Sequence, residues 1–264
     1  MTIVSSVVLA VCLATVTAAV PASAQDSFTI HSAALGEERR INVHTPSHYV
    51  AASAARMPVL YMPDGGLDED FPHVVATVDS LVSLGVIRPV IVVGIPNTQR
   101  RRDLTGPTRV ASDSTIAPRV GGSFVFRRFI REELIPEIER RYRTTTERAI
   151  IGESLAGLFV LETFIEEREQ FSHYIALDPS VWWDGGALVD QAMANPLPLD
   201  PAPRTLYLAT SKEPSTSVGV TKLADWLRGR SIVGFRWRYD PRPDLTHANI
   251  FRSLEATALA YSLR

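Results

Sequence analysis

The run Arg148-Ala-Ile-Ile-Gly-Glu-Ser-Leu-Ala-Gly157 constrains the fold of this chain more than any other stretch. An apolar strand enters a turn of small residues with Ser154 at its apex, and a helical pattern follows directly. A serine hydroxyl is a poor nucleophile at neutral pH, so one used in chemistry is held on a strained turn, beside a base and above backbone N–H donors. Gly152 and Ala156 supply the room such a turn needs. The usual pattern is Gly-x-Ser-x-Gly; here Ala156 stands in the second glycine's place, with Gly157 one position later. Taken alone, the same residues also describe an ordinary strand-to-helix turn with Ser154 as a helix N-cap.

Elsewhere, short apolar and β-branched runs alternate with helical patterns. Strands are expected over Arg39 to His44, Val59 to Met62, Val90 to Ile95, Ala149 to Gly152, Tyr174 to Leu177, Thr205 to Ala209 and Phe235 to Tyr239. Several are apolar almost throughout, as central strands covered on both faces should be, which gives an α/β class with a mostly parallel central sheet and helices on both faces. Helices are expected over Phe124 to Tyr142, with Pro136 bending or interrupting it, and over Leu155 to Arg168, Ser217 to Arg228 and His247 to Leu263. Two long polar stretches, Pro96 to Gly122 and Asp184 to Pro203, belong at the rim where ligands meet the carboxyl ends of the strands.

The first 24 residues hold no Lys, Arg, Asp or Glu, and an apolar stretch from Val7 to Val20 precedes Pro21-Ala22-Ser23-Ala24. That reads as a secretory leader cleaved before Gln25, followed by one domain over 25–264, with a secreted or periplasmic location and no stable membrane insertion after cleavage. An uncleaved anchor is the alternative, because only the terminal amine charges the leader's start. The sole cysteine, Cys12, lies in the leader, so the remainder has no disulfide and no thiol chemistry. A net charge of −2 argues against a nucleic-acid partner. The histidines other than His247 show no metal-ligand spacing, and no metal or cofactor is expected.

His247 lies in Asp244-Leu-Thr-His-Ala-Asn249, just after the last expected strand and at the start of the last helix, where a base acting on Ser154 would stand. The acid that orients its imidazole is open among three carboxylates. Glu213, in Ser211-Lys-Glu-Pro214 after the strand Thr205 to Ala209, is the first choice; Asp178 is the second and Asp244 the third. A Ser-His dyad without a strong third partner is also compatible. The order serine, acid, histidine is that of an α/β-hydrolase fold. Two backbone donors would hold a tetrahedral oxyanion, one from Leu155 and one from Gly65 or Gly66 in Pro63-Asp-Gly-Gly66. Arg100 and Arg102, in Arg100-Arg-Arg-Asp103, are candidates to meet an anionic substrate group, although charge runs are usually solvated surface. Trp182 and Trp183 are candidates for an aromatic wall, or for core packing.

The residues resemble a family: the esterases related to the enterochelin (ferric siderophore) esterases, within the α/β-hydrolase superfamily that also includes esterase D. The resemblance covers nearly all of the chain after the leader. It rests on Val59-Leu-Tyr-Met-Pro-Asp-Gly65, Ile95-Pro-Asn-Thr-Gln-Arg-Arg-Arg-Asp-Leu-Thr105, Phe129-Ile-Arg-Glu-Glu-Leu-Ile-Pro136, Gly152-Glu-Ser-Leu-Ala-Gly157 and Asp178-Pro-Ser-Val-Trp-Trp-Asp184. It implies a nucleophile at Ser154, a base at His247, and small-molecule ester substrates ranging from cyclic siderophore trilactones to simple acyl esters. Two rival readings keep the same scaffold: acyl transfer to an alcohol or sugar, as in the related mycolyltransferases, and a non-catalytic ligand-binding module.

Overall fold

The computed structural model describes residues 24–47, 49, 54–194, 203–230 and 232–264. The expected leader lies outside these, except for Ala24. In chain order the elements are β1 (Ala24–Ser32), β2 (Glu37–Thr45), β3 (Met57–Pro63), α1 (Phe71–Ser83), β4 (Ile91–Ile95), α2 (Arg100–Leu104), α3 (Ala111–Ser114), α4 (Ser123–Phe129), α5 (Ile135–Arg141), β5 (Thr144–Glu153), α6 (Leu155–Glu166), β6 (His173–Leu177), α7 (Ala187–Ala194), β7 (Arg204–Thr210), α8 (Pro214–Arg228), β8 (Phe235–Pro241) and α9 (Ile250–Ser262). The strands form one sheet in the order β1-β2-β4-β3-β5-β6-β7-β8. From β4 to β8 every neighbour is parallel, whereas β1 and β2 form an antiparallel pair that joins the edge of β4.

The period-2 alternation of each strand splits the core into two layers. Val59, Tyr61, Val93, Ile150, Tyr174 and Leu206 face the layer built with α4 to α8, and Leu60, Met62, Val92, Ile151, Ile175 and Tyr207 face α1 and α9. All twelve side chains are 0 or 1% exposed, which is why the central strands read as unbroken apolar runs. α6 is buried almost all round because it packs on β5 and β6 and is covered in turn by α2.

Three differences from the sequence reading have plain causes. β1 was not expected, because Asp26, Ser27, Thr29 and His31 break up its apolar positions; it is an exposed edge strand that pairs only with β2. The helix expected over Phe124 to Tyr142 is α4 and α5 joined by one wide π turn, Ile130–Leu134. Pro136 has no N–H to return to the preceding turn, and the wide turn immediately before it accommodates that loss. The polar stretch after Asp184 is not all loop, since Ala187–Ala194 is helical; residues 195–202 lie outside the described part.

Candidate active site

Ser154 sits between the last residue of β5 and the first of α6 at φ 57°, ψ −121°. L-residues adopt that backbone at a cost of about 1–3 kcal/mol, sustained only where the surroundings fix it. Here the fixing is visible. The Ser154 N–H donates to the Leu177 carbonyl (3.2 Å), and its own carbonyl accepts from the Ser180 N–H (2.9 Å). At Gly152 a Cβ would stand 2.5 Å from the Ala156 carbonyl carbon. The missing side chain at 152 leaves room for Ala156, rather than glycine, in the first turn of α6.

His247 precedes α9 rather than lying inside it. Its Nε2 is 3.1 Å from Ser154 Oγ, and its Nδ1 is 2.6 Å from Asp178 Oδ2. An ionised carboxylate can only accept, so Nδ1 carries the proton and Nε2 turns its lone pair toward the serine. Asp178 is fully buried and also at positive φ, 45°. Besides the imidazole it receives the Ser211 N–H (2.8 Å), the Ser211 hydroxyl (2.8 Å) and the Thr216 hydroxyl (2.6 Å). Burial works to raise its pKa, but the bond to His247, followed by those from Thr216 and Ser211, outweighs burial and holds it below the ordinary carboxylate value. The same bond to Asp178, against partial burial and with the charges of Glu153, Asp178 and Glu213 added, raises His247 above its ordinary value.

The expected acid is therefore corrected. Glu213 does not meet the ring; its Oε1 accepts the backbone N–H of His247 at 3.4 Å. Position after β7 brings it to the histidine loop, but the turn at Asp178-Pro179 aims the Asp178 carboxylate at Nδ1 first. Asp244 is exposed and pairs with Arg242 at 2.6 Å.

The loop after β3 is also corrected in part. Gly65 donates its N–H to the Ile95 carbonyl (3.2 Å), so it has no donor left for an oxyanion. A Cβ there would stand 2.3 Å from Ile95 N, so glycine is required for the close approach of this loop to β4. The Gly66 N–H is met by Glu69 Oε2 at 2.6 Å, and Glu69 Oε1 is held by Asn97 Nδ2 at 2.6 Å. An ester oxygen at Gly66 would take the place of that carboxylate. Leu155, at the first position of α6, has a backbone N–H with no partner among the described residues.

Neither arginine presents a free cation. Arg100 makes a two-pronged pair with Asp64 (2.7 Å and 2.7 Å), which braces the loop carrying Gly65 and Gly66. Arg102 turns to Glu37 (2.7 Å) and Asp103 (2.6 Å), in a buried network around Arg39. The two tryptophans separate. Trp183 is 4% exposed, donates Nε1–H to the Gly106 carbonyl (2.8 Å) and lines a cavity of about 180 Å³ with Leu158, Glu162 and Leu188. Trp182 is 39% exposed and lines a separate groove of about 430 Å³ with Val181, Pro214, Val218 and Gly219. That groove is built from the residues that directly follow Ser180 and Glu213.

Two groups at the site escaped the sequence reading. Ser180 Oγ lies 3.3 Å from Ser154 Oγ, and its only sequence signal is its place two residues after Asp178. Glu153 precedes the nucleophile candidate and is raised to about 7, by burial first and then by Asp70 and Asp178, against the opposing charges of His247 and Arg100.

Residues 32–244 match the family model described as Putative esterase. The chain belongs to that esterase family. Among characterised family relatives, it is 41% identical over 113 residues to the ferri-bacillibactin esterase BesA of Bacillus subtilis (strain 168), covering 38% of this chain and 39% of that one. It is 28% identical over 174 residues to the siderophore triacetylfusarinine C esterase of Aspergillus fumigatus, covering 60% of this chain and 57% of that one. The matched stretches thus span only about two to three fifths of those proteins' lengths. Among solved structures, an IroE-like serine hydrolase from Shewanella oneidensis superposes with a TM-score of 0.79 at 27% identity, over 90% of this chain and 79% of that one. The BES protein from Bacillus cereus gives 0.78 at 21% identity, over 90% and 95%, and shares the fold.

Proposed function

We propose that this esterase-family chain is a serine hydrolase that cleaves carboxylic esters through an acyl-enzyme. The observation that carries the reading is the continuous chain of contacts Ser154 Oγ, His247 Nε2, His247 Nδ1 and Asp178 Oδ2, at 3.1 and 2.6 Å. Ser154 Oγ attacks the ester carbonyl carbon while His247 Nε2 takes its proton. The carbonyl oxygen becomes an oxyanion held by the Leu155 N–H and, once Glu69 withdraws, by the Gly66 N–H. The intermediate collapses with cleavage of the carbon–alkoxy bond, and the imidazolium returns the proton to the departing alcohol oxygen. Water then attacks the acyl carbonyl, gives a proton to His247 Nε2 and displaces Ser154 Oγ, which recovers that proton. Asp178 fixes the tautomer and supports the imidazolium, and Ser180 orients the nucleophile's hydroxyl.

The substrate is a small-molecule ester, either a siderophore lactone of the kind named for the relatives or a smaller acyl or aryl ester, with Trp182 and its groove taking the apolar part. We place the chain outside the cytoplasm on the strength of the leader. Among the described residues no helix is long and apolar enough to cross a membrane.

The test is hydrolysis of p-nitrophenyl esters from acetate to octanoate by the chain from Gln25 onward, beside Ser154→Ala. Loss of at least about 10⁴-fold in kcat in a variant that keeps the parent's circular dichroism is the expected result. Equal rates in the two proteins would remove Ser154 from the mechanism.

A further inference from the structure

Two helices leave the site directly. α1 begins at Phe71, after the loop from Gly66 to Asp70, and α9 begins at Ile250, just after His247. They pack together on one face of the sheet, with Phe71, Val74 and Val78 in the same apolar cluster as Ile250, Leu254 and Ala258. α9 also packs on β6 and β7, the strands that lead to Asp178 and Ser211. Two contacts between charged groups cross the seam between the helices. Asp70 meets Arg252 at 3.4 Å, and His73 Nε2 stands 3.1 Å from Glu255 Oε1. Position numbers rise together from the first contact to the second, so the two helices run in the same sense and both start at the edge of the sheet where Ser154 stands.

Glu255 does not suit its place on energetic grounds. It is 1% exposed, on a buried helix face whose other members are Ile250, Phe251, Leu254, Ala258, Leu259 and Ser262. Neither of its carboxylate oxygens completes a hydrogen bond among the described residues, and His73 Nε2, although within ion-pair reach, completes none either. Burial, opposed by Thr77 and Arg252 and reinforced by Asp70, pushes the Glu255 carboxyl up to about 7. A carboxyl whose folded pKa lies above its unfolded one weakens the fold as pH rises from the unfolded value toward the folded one. An apolar residue at 255 would continue the buried face, and replacing a buried charged pair by apolar side chains is often neutral or stabilising. Cohesion therefore does not account for this pair. Register does, because a wholly apolar seam tolerates small axial shifts between two helices, whereas a charged contact at one position favours a single offset.

Resting on the reading of His247 as the base, we infer that Glu255 and His73 are positioning residues for this reaction: their contact fixes the axial register of α9 against α1, and with it the place of the His247 imidazole relative to Ser154 and to the Gly66 loop. The Asp70–Arg252 contact is largely solvated and holds little by itself. The imidazole works within narrow limits, 2.6 Å from Asp178 and 3.1 Å from Ser154. A misplacement of about 1 Å in such a constellation costs about 10² in rate. Glu255 and His73 act through the helices and not on the ester, so their loss is read in kcat and not in KM.

The experiment measures kcat and KM on p-nitrophenyl butyrate, together with the melting temperature, for the parent, Glu255→Leu, His73→Leu and the double variant. At pH 8 kcat in Glu255→Leu is expected to fall by about 10- to 100-fold with KM within about threefold. Its melting temperature should equal or exceed the parent's, by more at pH 8 than at pH 5, since only the ionised carboxylate is penalised; the groups facing it are His73, Thr77 and Asp70 from the α1 side and Arg252 from α9. The double variant should be no slower than the slower single one, because both remove the same contact. Activity and stability thus move in opposite directions. A lower melting temperature with parental kcat per folded molecule would mean cohesion only, and overturns the proposal. Should Glu255→Leu fail to fold, His73→Leu decides, because that side chain is 33% exposed and its replacement does not open the core; parental kcat there overturns the proposal as well. An active parent whose variants match its kcat removes this inference alone, whereas a parent inactive on every ester overturns the esterase reading and this one with it.

Discussion

Two polar clusters lie at the carboxyl end of the sheet, and they differ in how many of their hydrogen-bonding groups are committed. Around Arg39, 1% exposed, the guanidinium reaches Asp103 (2.6 Å), Thr98 (2.8 Å), Glu37 (3.0 Å) and the Pro96 carbonyl (2.9 Å), and it lies over the Phe126 and Phe129 rings. Arg102 closes the same network through Glu37 and Asp103. Around Ser154 the acid is equally committed, with four donors on Asp178, but the outer groups are not. Glu153 and the Leu155 N–H have no partner among the described residues, and Gly66 has one that a substrate can replace. A network closed except at Arg39 Nε fixes the loop from Pro96 to Leu104 against β2, whereas the open one leaves donors and charges without a partner among the described residues. Arg100 and Arg102, two residues apart, fall on either side of that division.

The largest effect that tests the contrast is at the committed acid. Asp178→Asn keeps the shape but lets the wrong nitrogen of His247 carry the proton, so kcat on p-nitrophenyl butyrate should fall by about 10³–10⁴. Glu213→Gln, which touches only the His247 backbone, should cost a few-fold at most. The reverse ranking, measured by steady-state kinetics on folded protein, would restore Glu213 as the acid and break the assignment of the closed centre.

On the other cluster, Asp103→Ala leaves the Arg39 charge buried with Glu37 as its remaining carboxylate. A loss of about 3 kcal/mol is expected, the low end for breaking a buried pair, because Glu37 still reaches Arg39. That corresponds to a melting temperature lower by roughly 6–12 °C in a chain of this size. The kcat per folded molecule should stay within about threefold, since no group of this network touches Ser154. A variant that melts normally but loses activity would show that the Arg39 network serves the chemistry directly.

The division also explains what could be read from the sequence. Ser154 and His247 were legible because their signals are local: a strand, a small-residue turn and a helix for one, a helix start after the last strand for the other. The central strands were legible because both faces are covered. Asp178 was ranked second because the choice between it and Glu213 turns on a backbone at φ 45° and on three hydroxyl and amide donors from the loop after β7, none of which spacing reveals. Arg102 was misassigned for a similar reason. Its partner Glu37 lies 65 positions earlier, on a strand whose register against β4 only the folded sheet defines. Gly65 looked like a donor because a glycine turn after a strand is a common oxyanion loop, but its tight contact with Ile95 is a tertiary fact.

A pH series separates the two clusters most gently. In the proposed mechanism the reaction requires the His247 Nε2 lone pair, and the bond to Asp178 raises that histidine above its ordinary value, so kcat/KM should fall tenfold per pH unit on the acid side of an inflection above about 6.5. Stability follows other groups. Glu37 is lowered to about 2, chiefly by Arg102, against burial and with help from Thr98 and Arg39. A carboxylate with a depressed folded pKa contributes stability above its unfolded value, near 4.5, and that contribution is lost as pH falls from there toward about 2. Asp178 is shifted in the same direction, so its contribution is also lost only on the acid side. Protonated His247, with its folded pKa raised, stabilises the fold below its unfolded value, so acidification to pH 5 does not weaken the fold through this group. Below that inflection and down to about pH 4.5 the chain should therefore stay folded while losing activity progressively, with activity returning fully on neutralisation. Urea midpoints and initial rates measured across pH 4 to 9 check this. Midpoints that fall in step with the rates would mean that the open site, and not the Arg39 network, governs acid stability.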